Sequence, residues 1–243
     1  MREGTAIFTR FDEPAEVAAA LERGGQVIPG EGDRYSGYAV LGVGFTSGDV
    51  LALRRFPLTS RGPAYTSVWH RSPAGRWTMY TDVADHGCAR YFAPALDEVI
   101  VGPIRIEWTS PRRVEIAVDG GRRLTWSLLM RSTAITRAFN RIAPHLAPIC
   151  ARNPRLLVAL AAMARVMLRS GPLRLAGTTP SGAAFMGQPW ALWVVRASRA
   201  CIAGQDTGPD CLLAAGLALG EFRIPRRGLF AASHAVIATR SRS

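Results

Sequence analysis

Residues 104–130 read IRIEWTSPRRVEIAVDGGRRLTWSLLM, and apolar and polar residues alternate through three successive runs. Ile104, Ile106 and Trp108 share a face, as do Val114, Ile116 and Val118, and then Leu124, Trp126 and Leu128. Arg105, Glu107, Glu115, Arg123 and Thr125 take the other side. Ser110-Pro111-Arg112 and Asp119-Gly120-Gly121 link the runs, the second with the residues of a tight hairpin. The pattern predicts a three-stranded meander, oily on one face and charged on the other.

The same signals recur outward along the chain. Runs at 38–43 and 50–56 flank Thr46-Ser47-Gly48-Asp49, and runs at 65–71 and 76–82 flank Ser72-Pro73-Ala74-Gly75. A run at 99–108 leads into the meander, and 173–178, 183–186, 190–198 and 229–237 follow it. About ten short strands with short links predict a mainly β chain, an antiparallel up-and-down barrel or a strongly bent sheet. At 243 residues, one domain over 1–243 is the expectation. A barrel of eight to ten strands with an apolar interior holds one small apolar ligand.

Period 2 breaks at 132–171, which predicts a two-helix insertion. Ile135, Ala138, Phe139 and Ile142 oppose Arg137 and Arg141 in a first helix that ends near Pro144. Asn153, Pro154 and Gly171 are the cap, first-turn and stop residues of a second helix, with leucines and methionines opposite Arg155, Arg165 and Arg169. The 132–171 stretch carries six arginines and no acid. Its apolar face suits closure of the barrel mouth, and its arginines suit a weak contact with an anionic membrane surface. Another short helix is expected at 14–23, capped by Asp12 and stopped by Gly24-Gly25.

All 30 basic residues are arginine, against 18 acidic ones, for a net charge of +12. Without lysine there is no Schiff-base nucleophile, pyridoxal anchor or P-loop lysine. The arginines outside 132–171 are dispersed, with no aromatic-interleaved basic cluster, which argues against nucleic acid as a partner. Residues 1–14 have no apolar core of a signal peptide, and the four cysteines lack CxxC spacing. Cytoplasmic free thiols are the expectation.

The segments GYAVLGVGF, SGDVLALRRF and YTSVWHRSPAGRW, within 38–77, resemble uncharacterised bacterial proteins with a lipocalin-like β-barrel, and IPRRGLFAASHAV near the end extends the resemblance. More remotely, the chain resembles the hydroxyneurosporene-synthase and AttH-like group. The closer resemblance implies a lipocalin-like barrel and no particular function. The remoter one implies enzymes acting on polyenes and other natural products, and lends no site residue here.

Gly42-Val43-Gly44 with Gly48 is spaced GxGxxxG, and Pro57 leaves too little chain for a dinucleotide-binding helix. Residues 82–88 (DVADHGC) gather potential metal ligands, but no second ligand pair stands at the required spacing, so neither a metal nor a cofactor is expected. His70 shares a strand face with Thr66 and Val68 beside aromatic residues, and in an apolar cavity its imidazole suits general acid–base work. Tyr80 and Arg54, on adjacent strands, are its expected companions, Arg54 as partner of a ligand carboxylate. Trp69, Trp108 and Trp126 complete the expected ligand contacts.

These residues point first to binding of a lipophilic small molecule in the barrel. The alternatives are a cofactor-free isomerase, cyclase or hydratase acting on an apolar natural product, with His70 catalytic, and a membrane-surface module without ligand.

Overall fold

The computed structural model describes residues 11–24, 27–84, 87–152 and 174–238. Three helices are α1 (Pro14–Glu22), α2 (Cys88–Phe92) and α3 (Ala134–Arg152). The strands are β1 (Asp33–Phe45), β2 (Val50–Thr59), β3 (Tyr65–Arg71), β4 (Trp77–Thr81), β5 (Glu98–Val101), β6 (Ile104–Ser110), β7 (Arg113–Val118) and β8 (Leu124–Arg131). They continue with β9 (Ala176–Thr178), β10 (Ala184–Ile202), β11 (Gln205–Asp206), β12 (Asp210–Cys211), β13 (Ala218–Leu219), β14 (Phe222–Arg223) and β15 (Leu229–Ile237). The chain is mainly β.

Ten strands follow one hydrogen-bonded path, β5-β4-β3-β2-β1-β15-β10-β8-β7-β6. Every pairing on it is antiparallel except β4 with β5, which α2 connects. The two ends of the path, β5 and β6, are consecutive in the chain and separated only by Gly102-Pro103. Three Cα–Cα steps reach at most about 11 Å, so the sheet curls until its ends approach one another. Gly102 and Gly120 pack backbone to backbone there, where a Cβ on Gly102 would lie 3.2 Å from the Gly120 Cα.

Three expectations change. The run 99–108 is two strands at opposite ends of the sheet, because Pro103 has no N–H for a ladder. The runs 183–186 and 190–198 are one strand, β10, which absorbs Pro189 at a register shift before Ala191 and shifts again between Val195 and Ala197. The order is not purely up-and-down, since β15 sits between β1 and β10.

Alternation gives the sheet two apolar faces. The inner one gathers Tyr38, Leu51, Leu53, Val68, Tyr80 and Trp126 with partners from the far strands. On the outer one, Ala52, Phe56, Trp69 and Met79 are covered by α2 and by the segment holding Leu213, Leu219 and Ile224. Gly42 and Gly44 make that cover possible: a Cβ on either would sit 2.3 Å from Ile224 or Leu213. The glycine pattern that superficially suggests nucleotide binding thus serves close packing.

Helix α1 begins at Pro14 after Glu13, which takes the cap position expected of Asp12. Its apolar face, Val17, Ala18 and Leu21, belongs to the inner core, so α1 lies across the open side of the curl. Helix α3 is started by a reciprocal pair: the Thr133 N–H donates to Thr136 Oγ1 (2.8 Å) and the Thr136 N–H to Thr133 Oγ1 (3.1 Å). It runs past Pro144 to Arg152 instead of ending there. A proline forfeits one helical hydrogen bond without ending a helix that packing holds. Ile135 and Phe139 pack on Leu192, Val194, Leu229 and Ala231, so α3 covers the outside of the sheet and not its mouth. The second expected helix, with Asn153, Arg155, Arg165, Arg169 and Gly171, lies outside the described residues, as do Asp85 and His86.

Candidate functional site

The inner face carries four of the six expected site residues. On β3, His70 pairs across to Leu51 of β2 and Thr78 of β4, while Tyr80 pairs with Val68. Alternation therefore puts His70, Val68, Leu51 and Tyr80 on one face together. Trp108 and Trp126 reach the same core from the opposite half of the sheet. Arg54 and Trp69 do not join them. Arg54 is opposite Ser67, one step out of phase with Leu53 and His70, so its side chain takes the outer face, where its guanidinium lies 5.2 Å from the Trp69 ring. Arg54 is thus not a companion of His70, and Trp69 does not line the interior.

His70 is buried, and its Nε2–H donates to Asp49 Oδ1 at 2.6 Å, while Asp49 Oδ2 accepts from Ser47 Oγ at 2.7 Å. The hairpin 46–49 thereby fixes the imidazole's orientation. Tyr80 is 1% exposed, and its hydroxyl has no hydrogen-bond partner. Burial pushes its phenol above the usual range, so it stays protonated. Trp126 is also wholly buried, but its Nε1–H donates to Ser198 Oγ (2.7 Å) and is satisfied.

Towards α1 the interior becomes aromatic and polar at once. The rings of Tyr38, Trp108 and Trp193 stand 5.7, 5.7 and 5.8 Å from that of Phe230. The Tyr38 hydroxyl donates to Glu22 Oε1 (3.0 Å), and Arg55 grips the same carboxylate with Nε (2.8 Å) and Nη2 (2.7 Å). Burial works to raise the Glu22 pKa, but Arg55 and Tyr38 together hold it below the ordinary value. Burial, then the Glu22 charge, drives the Tyr38 phenol upward. At the other end of α1, Arg112 holds Glu13 through Nε (2.6 Å) and a second bond from Nη2. Two bidentate arginine–glutamate clamps thus pin one helix across the barrel.

Trp190 stacks loosely between Phe11 (6.2 Å) and His234 (6.3 Å). His234 shares a 2.7 Å hydrogen bond with Ser36, and burial lowers its pKa to about 4, so it is neutral at physiological pH. The indole nitrogen of Trp190 is buried without a hydrogen-bond partner, whereas the Trp108 N–H, short of good hydrogen-bond geometry, has the Tyr38 hydroxyl as its acceptor. With Tyr80, two donors of the interior are buried without an acceptor.

Tyr38, Arg55, Trp190, His234 and Glu22 escape the sequence reading. Tyr38 and Arg55 stand in phase with Val40 and Leu53, and His234 with Phe230 and Ala232, the one signal available; the register shift beside Trp190 hides that residue. Glu22 comes from a helix whose docking no strand pattern encodes.

Elsewhere, Asp82 Oδ1 accepts the Thr66 N–H at 2.7 Å, and no three His, Cys, Asp or Glu side chains among the described residues form a metal-binding group. A groove of about 430 Å³ crosses the outer face of β6, β7, β8 and β10, lined by Arg105, Glu107, Glu115 and Arg199. Its mixed charge does not suit an apolar guest. No helix among the described residues is long and apolar enough to cross a membrane.

No protein-family model matches the sequence, and no curated protein matches it. Among solved structures, the chain is similar to the crystal structure of acetoacetate decarboxylase from Legionella pneumophila subsp. pneumophila str. Philadelphia 1. The two share 9% identity and a TM-score of 0.39, over 98% of this chain and 94% of that one. At that distance the likeness says nothing about chemistry, and the groups resembled by residues 38–77 are not identified by it.

Proposed function

We propose that the protein binds a lipophilic small molecule bearing an acceptor oxygen in the barrel interior, beneath α1. The observation that carries this reading is the pair of buried donors without acceptors, Tyr80 Oη and Trp190 Nε1. An unsatisfied buried donor costs about 1–3 kcal/mol, and buried donors in native structures are nearly always paired. A ligand carbonyl or ether oxygen supplies the acceptor, and the surrounding rings take its hydrocarbon body. The free thiols Cys88, Cys201 and Cys211 suit a reducing compartment, so the same reading puts the protein in the cytoplasm.

The test compares a medium-chain methyl ketone with the alkane of equal length, read by tryptophan fluorescence and native mass spectrometry. Tyr80→Phe and Trp190→Phe keep an aromatic ring and remove the donor. Each is expected to weaken ketone binding by about tenfold, the worth of one hydrogen bond, and to leave alkane binding unchanged. Equal losses for both ligands, or none, overturn the reading.

A second reading, cofactor-free proton transfer on an apolar natural product, draws on the Asp49–His70 pair with the Tyr80 hydroxyl on the same face. An oriented imidazole and a neutral phenol are a base and an acid. A ligand recovered from gentle purification that changes in mass or isomeric form on incubation, and does not with His70→Gln, supports it. Conversion retained in that variant removes His70 from any mechanism.

A further inference from the structure

Arg54 is out of place for a structural arginine. It is half-buried on the outer face of β2, yet among the described residues its guanidinium makes neither a hydrogen bond nor an ion pair, and none of its nitrogens is sealed from solvent. Its guanidinium lies against two rings, Phe222 at 4.3 Å and Trp69 at 5.2 Å. Trp69 is itself immobilised: its Nε1–H donates to Ser67 Oγ at 2.9 Å, and Phe92 meets it edge-on at 4.9 Å.

The groups beside Arg54 do not neutralise it. Tyr65 and Cys88 lie close, 3.4 Å apart from Oη to Sγ. Burial drives both pKa values up, against the opposing pull of the Arg54 charge, so both stay neutral. The nearby carboxylates are engaged elsewhere: Asp33 accepts from Tyr91 and faces Arg61 and Arg90, and Glu221 pairs with Arg174.

We infer that Arg54, Trp69 and Phe222 form a binding site for a carboxylate attached to a flat apolar body, separate from the barrel interior. A guanidinium held between ring faces presents its in-plane N–H edge, and that fork matches the two coplanar oxygens of a carboxylate. Among the described residues its positive charge is uncompensated, and it matches one negative charge. The apolar flank of Phe222, which meets Phe185 at 6.5 Å, and of Leu219 suits an aryl group.

Benzoate is the probe, titrated by calorimetry and ligand-observed NMR, with benzamide and inorganic phosphate as controls. Wild-type protein is expected to bind benzoate at least tenfold more tightly than either control. Arg54→Gln loses that preference, and Arg54→Lys, which keeps the charge but not the fork, recovers only part of it. Far-UV circular dichroism checks the fold of each variant. Should Arg54→Gln not fold, Phe222→Ala replaces it, with at least a threefold loss expected. Tyr80→Phe and Trp190→Phe, which test the interior, leave the Arg54-dependent preference for benzoate unchanged, so this site and the interior one fail independently. No preference for benzoate in the wild type, or an undiminished one in the folded variants, overturns the inference.

Discussion

At the scale of single residues, His234 makes the most direct prediction. An unfolded histidine takes up its proton near pH 6.5, but buried His234 does so only near 4. Between those values the unfolded chain binds more protons, so stability is complete above about pH 6.5 and falls as the pH drops towards 4. The gap corresponds to a loss on the order of 3 kcal/mol at the acid end. His234→Gln keeps a hydrogen-bonding partner for Ser36 and removes the titration, so its urea midpoint should change less between about pH 7 and pH 4.5 than that of the wild type. Parallel curves would show that His234 is not neutral in the fold. The same residue shows why only part of the site can be read in sequence. His70, Tyr80, Trp108 and Trp126 stand on strands with clean alternation, and their common face follows from counting. Trp190 lies where the shift at Pro189 has reset the count, whereas His234 stands in phase with Phe230 and Ala232 on an unbroken β15, and only its buried setting is hidden. Arg54 fails for the opposite reason: its parity is clear, but parity alone does not say which face is inner.

At the scale of elements, α1 lies across the open side of the curl, a role the sequence assigns to 132–171 and that α3, the described part of that stretch, does not take. Nine residues with an apolar side of Val17, Ala18 and Leu21 look like any short surface helix. What makes α1 the closing element is the pair of arginines that meet its ends, Arg112 from the β6–β7 turn and Arg55 from β2. Neither partner is local in sequence. The Glu22 clamp is partly buried and also holds Tyr38, so its loss should cost about 1–2 kcal/mol, between exposed and buried pairs. The Glu13 clamp is more exposed and should cost under about 1 kcal/mol. Glu22→Gln is therefore expected to speed amide exchange at Val17 and Leu21 by about tenfold and to leave the β15 amides unchanged. Equal acceleration in β15 would mean global destabilisation, and α1 would not open on its own. Lowering the pH acts in the same direction: the Glu22 pKa is held down, so its clamp persists above the ordinary carboxylate range and is lost as pH falls through the depressed value. Helix α3 was legible as an amphipathic helix, but not its berth. The Asn140 amide donates to the Leu192 carbonyl (3.2 Å) and accepts the Leu192 N–H (2.7 Å), serving the edge of β10 that β8 leaves at Arg131.

At the scale of the molecule, strand number and the apolar interior follow from alternation, whereas the closure does not. Gly102-Pro103 reads as a weak spot in one strand, and only pairing on both sides reveals that it joins the two ends of the sheet. The net charge of +12 poses the remaining question at this scale, because six of the arginines lie in 132–171 without an acid. We propose that any contact with anionic membranes through this region is weak and electrostatic. Along the described part of α3, the apolar residues Ile135 and Phe139 already pack on the sheet, which leaves Arg137, Arg141 and the exposed Ile142 facing outward. Each arginine near such a surface contributes about 1 kcal/mol, and two without an inserting apolar face give marginal binding. The contact is further weakened at physiological salt, where the Debye length is about 8 Å. Flotation with anionic liposomes should therefore appear at low ionic strength, diminish when Arg137 and Arg141 are both changed to Gln, and vanish near 0.15 M salt. Flotation that survives that salt would require an apolar surface to enter the bilayer. That surface would come from α3 leaving β10 and β15 or from residues 153–171, which lie outside the described residues, and the protein would then be a surface-inserting module instead of a carrier.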